Sequence, residues 1–223
     1  DKLDWPFSMT LPHSTGARLY ELANNHLWRT KFAFTKWNSQ TTGFLQPPAG
    51  NTTGNEEEWM NYTLGQYYTL LNAGFALVPT AGSANGVHPV PAGFSRVYVH
   101  QPNGFSYEKW LAGLKHGRSF VTTGPMLFAK VNGQQPGAKL ALAQDGGEVT
   151  VTGEVISKTP VSFLEIVANG RPVLKIRARP KTTPSDARQM TFSATLPIKT
   201  SGWIAVRCFE ERPGGRLRFA HTG

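Results

Sequence analysis

The chain has 223 residues, 39% of them hydrophobic, and a net charge of +9. Its single cysteine, Cys208, excludes a disulfide scaffold and a cysteine-built zinc site. No run approaches the roughly 18 apolar residues of a membrane helix, and Gly and Pro at 23 and 16 fall short of low-complexity composition.

Residues 18–23 alternate polar and apolar side chains and predict a strand, ended by Asn24, Asn25 and His26. Residues 27–37 are aromatic-rich and fit helix or loop. Residues 38–55 carry no charge and many Thr, Asn, Gly and Pro, the composition of a functional loop and a candidate lid. Glu56, Glu57 and Glu58 then open a helix, with acid at the positive end of its dipole. Asn55 stands as its N-cap, and the apolar spacing carries the helix to about Asn72. A short strand over 75–79, a Gly/Pro-rich loop and a strand over 95–100 follow. Ser106 caps a helix that runs to Lys115 and ends at Gly117, before a strand over 119–122. This alternation predicts an α/β domain.

After Pro125 the helical periodicity disappears. Strand patterns cover 126–131, 148–156, 161–168, 173–179, 189–196, 203–209 and 217–221, several of them divided by Asn-Gly, Asp-Gly-Gly or Pro-Gly-Gly turns. Seven short strands predict a β-sandwich. The expected organisation is α/β plus all-β, with domains at 1–131 and 132–223.

Positive charge concentrates downstream. Residues 1–125 hold nine Lys/Arg against seven Asp/Glu, and residues 126–223 hold fourteen against seven. These cations sit singly on strands, as at Lys175, Arg177 and Arg179, where period-two spacing puts them on one face. A solvated sheet face accounts for them, and no nucleic-acid reader motif accompanies the charge. The expected partners are a small-molecule or anionic ligand, with neither nucleic acid nor membrane. Low charge content and Thr/Asn-rich loops lean toward an extracytoplasmic setting.

Two stretches carry a family resemblance. The first runs from Tyr20-Glu21-Leu22-Ala23 through Asn24-Asn25-His26 to Arg29. The second includes Asn72-Ala73-Gly74-Phe75, Gly82-Ser83-Ala84 and, most specifically, Leu114-Lys115-His116-Gly117-Arg118-Ser119-Phe120 continuing to Gly124-Pro125. Together they resemble the C-terminal half of a PHP (polymerase and histidinol phosphatase) domain, in the branch of carbaryl-hydrolase-like metallohydrolases. Arg218-Phe219-Ala220-His221-Thr222 resembles the end of such proteins.

The resemblance implies an incomplete PHP-like (β/α) barrel half followed by a β-sandwich. It also implies hydrolysis of phosphoesters, esters or carbamates through zinc, manganese or iron ions that lower the pKa of a bridging water. The family's opening His-x-His is absent. Its closing Asp-x-His after Gly-Ser falls on Ala84 and Gly86, which cannot ligate. No cofactor is therefore expected for this chain by itself. A divalent metal belongs to a full-length parent, and the missing half of the barrel lies upstream or in a partner chain.

The candidate ligand contacts are Asn24, Asn25, His26, Arg29, Ser83, Asn85, His88 and Arg118. Asn24, Asn25, His26, Ser83, Asn85 and His88 follow two strands of one parallel sheet, whose carboxyl ends gather ligands. For His26 the alternatives are ligand contact or a bond to backbone in a turn. For Arg118 they are an anion clamp or a partner of the helix terminus. Glu21 is either a buried acid paired with Arg29 or Arg96, or solvent-facing. Three functions remain: part of a PHP-like hydrolase without its own metal ligands, a non-catalytic ligand-binding descendant, or a basic structural module.

Overall fold

A computed structural model describes residues 16–28, 56–86 and 89–223. Arg29, His88 and the candidate lid at 38–55 lie outside the described residues. The fold is mainly β, with three sheets and two α-helices among the described residues.

Strand β1 (Leu19–Ala23) pairs in parallel with β2 (Val78–Ala81). Helix α1 (Glu56–Asn72) lies between them in sequence. It buries Trp59, Met60, Leu64, Tyr67, Tyr68 and Leu70, a face wide enough to touch more than one neighbour. Helix α2 (Tyr107–Lys115) begins where Ser106 Oγ accepts from the Lys109 amide, and connects β3 (Arg96–Val99) to β4 (Ser119–Thr122).

The remaining strands are β5 (Met126–Val131), β6 (Gly147–Ser157), β7 (Val161–Ala168), β8 (Arg171–Arg177), β9 (Lys181–Thr182), β10 (Arg188–Ile198), β11 (Ile204–Arg212) and β12 (Arg216–Thr222). They build two antiparallel sheets. One has four strands in the order β5-β6-β10-β9, the other six in the order β3-β4-β12-β11-β7-β8. The β7–β8 hairpin turns on Asn169 and Gly170, both at positive φ, as an Asn-Gly turn requires.

The six-stranded sheet is packed on both faces. On one side Val121, Val167, Phe209 and Phe219 join Leu22, Leu27, Trp59, Leu64 and Tyr67 in a core under α1. On the other, Phe120, Leu164, Ile166, Val206, Cys208 and Ala220 meet Leu127, Val151, Val155 and Phe192 of the four-stranded sheet. Consecutive residues of β4 and β12 alternate between these cores, so both read as continuous buried runs rather than as polar/apolar alternation. Complete burial pushes the Cys208 thiol up to about 12.

Two expectations are corrected. The upstream residues do not form half of a (β/α) barrel, because β1–β2 is the only parallel pairing among the described strands and β3 and β4 run antiparallel. Nor does the chain divide into an α/β part and a separate β part, since β3 and β4 are the edge of the six-stranded sheet that β12, β11, β7 and β8 complete. Periodicity identifies strands but not their direction. The helix between β3 and β4 reads as a parallel crossover although it joins antiparallel neighbours.

Charge is buried on the α1-facing side of this sheet. Arg207 Nε and Nη2 each lie 2.7 Å from Glu165 Oε2, with both side chains at most 10% exposed. Replacing Arg207 by Met leaves that carboxylate without its partner. Urea unfolding is expected to show a loss of about 3–5 kcal/mol, most of it recovered when Glu165 is also made apolar. An Arg207→Met protein as stable as the parent would show that the pair contributes nothing.

Candidate functional sites at the strand ends and in an aromatic cleft

The parallel pairing brings the carboxyl ends of β1 and β2 together, and the Gly82 amide donates to the Ala23 carbonyl at 2.9 Å. Asn24 Nδ2 donates to Glu21 Oε2 at 2.7 Å, and Asn24 Oδ1 accepts from the Asn25 amide, capping a short 3-10 turn over Asn25–Leu27. A Cβ at Gly82 would lie 2.5 Å from Glu21 Oε1, the movable end of a flexible side chain, so a larger residue there would displace the carboxylate. Glu21 is solvent-facing and held by the Asn24 amide.

The other candidates at this end face elsewhere. Ser83 is buried, and its Oγ sits 3.4 Å from both the amide and the carbonyl of Ser95, fastening the intervening loop. Asn85 is exposed. Asn25 is buried in the turn. The His26 ring packs edge-on to Trp59, whose Nε1 donates to the His26 carbonyl at 3.0 Å. Burial lowers the His26 pKa to about 4 against the small opposing effect of a bond to the Leu22 backbone. Asn24 and Ser83 thus share one end of the sheet, but both are engaged in local bonds, and Asn85 is the exposed candidate there.

These residues do not fit a metal cluster. Ala84 and Gly86 offer no donor, Glu21 is the one carboxylate at the strand ends among the described residues, and its Oε2 is engaged by Asn24. No group of three His, Cys, Asp or Glu side chains comes together among the described residues.

Arg118 belongs to a different place. It immediately precedes β4 and lines a cleft of about 600 Å³ between the β3–β4 edge and strands β5 and β6. Tyr98 and Phe120 are direct cross-strand partners with rings stacked 5.2 Å apart. Phe120 meets Phe128 of β5 edge-on at 5.6 Å. Tyr98 and Phe128 remain 36% and 44% exposed, an uncovered aromatic surface of the kind that marks binding sites. Arg118 and Lys130 line the cleft and form no ion pair among the described residues. Glu154, also in the lining, accepts from Gln189 Nε2 at 2.7 Å. The sequence reading missed Tyr98, Phe128 and Lys130. An aromatic on the polar face of each of two strands was the available signal, but their adjacency depends on pairing that no local pattern records.

No family model, no curated protein and no solved structure matches the chain.

One half-buried imidazole, His26, and one buried imidazole, His221, set a pH dependence. His221, like His26, is lowered to about 4 by burial, reinforced by the facing Arg207. Its Nε2 lies 2.9 Å from the Tyr68 hydroxyl. The folded protein binds fewer protons than the unfolded chain between the ordinary histidine value of 6.5 and about 4, so stability falls as pH drops through that window. Two histidine resonances are expected to stay neutral at pH 5.5 by NMR, and the unfolding free energy to be flat above pH 7 with respect to these groups. Titration of either ring near 6.5 would contradict the burial account.

Proposed function

We propose that the chain is a non-catalytic ligand-binding module that resembles the PHP metallohydrolases, and that its ligand is a small aromatic anion held in the Arg118 cleft. One observation carries this reading: three contacting aromatic rings, two of them exposed, line a cleft that also contains Arg118 and Lys130. A volume of about 600 Å³ lies within the usual 300–1,000 Å³ of small-molecule sites. The exposed faces of Tyr98 and Phe128 offer stacking and apolar contact, while the guanidinium supplies two parallel donors that match a carboxylate or phosphate. Glu154 disfavours dianions placed deep on its side and directs the charged end of the ligand toward the cations.

The hydrolase reading has less support, because among the described residues the strand ends provide one carboxylate and two amides where metal-assisted hydrolysis needs converging ligands on each ion.

Calorimetric titration with phenyl phosphate and benzoate tests the proposal. Binding is expected to weaken about tenfold in Arg118→Ala, equivalent to about 1.4 kcal/mol, and severalfold in Phe128→Ala. Binding indifferent to both substitutions would overturn the cleft assignment. Chelator-sensitive turnover of aryl phosphate, ester or carbamate by protein loaded with zinc, manganese or iron would overturn the non-catalytic reading.

A further inference from the structure

A second cavity, of about 820 Å³, lies where the segment 134–146 arches over the ends of α1, β11 and β12. Glycines seat both ends of this arch. Gly137, at φ +81°, lies so close to the His116 carbonyl that a Cβ would overlap it, and Gly146, at φ +93°, does the same against the Ile198 carbonyl. The arch is thereby held over the sheet as a formed element.

The ring-bearing side chains of its floor have their polar atoms engaged. The Tyr67 hydroxyl donates to the Leu77 carbonyl at 2.8 Å, Trp203 Nε1 donates to Asn72 Oδ1 at 2.8 Å, and both His221 nitrogens are engaged, by Tyr68 and by the Thr222 carbonyl. What these groups leave free is hydrocarbon, together with Leu77, Ile198 and Val206. Leu140 and Leu142 of the arch also line the space, and remain 37% and 38% exposed.

The charged side chains around this hydrocarbon are of one sign. Lys130, Lys139 and Lys199 line the cavity, and no Asp or Glu side chain does among the described residues. We infer that the cavity binds an amphipathic anion, an aliphatic carboxylate with its chain between the arch and the sheet and its head among these lysines. The occupant follows from complementarity. A neutral alkyl compound leaves the ammonium groups unpaired, a cation is repelled by them, and a compact polar anion leaves the apolar surface of Leu140, Leu142, Ile198 and Val206 uncovered. This site adjoins the aromatic cleft along a shared wall of Ala129, Lys130, Gln135 and Pro136. Lys139, Lys199 and Leu142 line only the arched cavity and are the positions to change.

The test is calorimetric titration of the intact chain with dodecanoate, dodecanol and dodecyltrimethylammonium, each below its micelle-forming concentration. Dodecanoate is expected to bind at least about tenfold more tightly than the other two, a difference of about 1.4 kcal/mol. The double variant Lys139→Gln/Lys199→Gln should lose that advantage and leave dodecanol unchanged. Leu142→Glu should abolish dodecanoate binding. Circular dichroism and unfolding of each variant establish that the fold is retained, and if Leu142→Glu does not fold, the lysine double variant decides alone. Equal affinity for the three amphiphiles, or dodecanoate binding unaffected by the lysine changes, would overturn the inference. So would dodecanoate binding lost in Phe128→Ala and retained in Lys139→Gln/Lys199→Gln, because the ligand would then be in the aromatic cleft.

Discussion

The docking of α1 along β12 organises the molecule. The helix and the strand run in the same direction, tied by Glu56 to Arg216 at 2.8 Å near their starts and by Tyr68 to His221 at 2.9 Å near their ends. Twelve helical steps at about 1.5 Å and five strand steps at about 3.3 Å span nearly the same length. Residues 56 and 68 can therefore meet 216 and 221 without bending either element. Asn72 continues the line, accepting from Trp203 Nε1 and donating to the Asn169 carbonyl. Polar contacts of this kind fix alignment more than they add stability, since each replaces a bond to water. The stability comes from the apolar residues between them, Trp59, Leu64 and Tyr67 against Phe209 and Phe219.

Given that alignment, the positions of both clefts follow. The β1–β2 pair is held against the same face of the sheet by its own packing on α1, which closes that side of the molecule. The two antiparallel sheets share a core on the other face, where Leu127, Val151 and Val155 meet Leu164, Ile166 and Val206. Among the described residues, both clefts lie at the margins of this packing. One margin is the β3–β4 edge, where Tyr98 and Phe128 project past the shared core. The other lies beyond the helix C-terminus, where the arch covers what α1 is too short to reach. The loop chemistry differs accordingly: the arch is fixed by glycines with no room for a Cβ, and the aromatic edge by cross-strand pairing.

Much of this was legible in the sequence, and the limits have physical causes. The helix from Glu56, the Ser106 cap, the Asn169-Gly170 turn and most downstream strands follow from acid placement, capping and period, which are local. The carboxyl-end juxtaposition of Asn24 and Ser83 followed from a parallel pairing that the order strand–helix–strand made natural. The same order misled at β3–α2–β4, where the strands are antiparallel and belong to the large sheet. The barrel was implied by the resemblance of Leu114 to Pro125 to a PHP domain, whereas that segment ends in β4, an interior strand of the antiparallel six-stranded sheet. The doublet Asn24-Asn25 drew a functional reading for both residues, but a cap needs one side chain on the turn's amide, and Asn25 spends its burial inside that turn.

The uneven charge also gains a local meaning. On β8, an edge strand, Lys175 and Arg177 are exposed on one face, and the Lys175 ammonium lies 3.4 Å from the centre of the Phe163 ring. Cations on an edge strand discourage pairing with another sheet, so these charges have a structural explanation that needs no ligand. Arg216 and Arg207 are accounted for by Glu56 and Glu165, and Arg212 by Glu210. Arg218 lies over the Trp28 and Phe94 rings at 5.6 and 4.6 Å. Lys130, Lys139, Lys199 and Arg118 have no such partner among the described residues, and all four line cavities. A cation left unpaired beside apolar surface gains most from an anion that carries apolar surface with it, because both the charge and the hydrocarbon are then removed from water together. The same downstream basicity that suggests an anionic polymer when counted along the chain thus resolves, in three dimensions, into an edge guard, several paired arginines and a few cations aimed at small spaces.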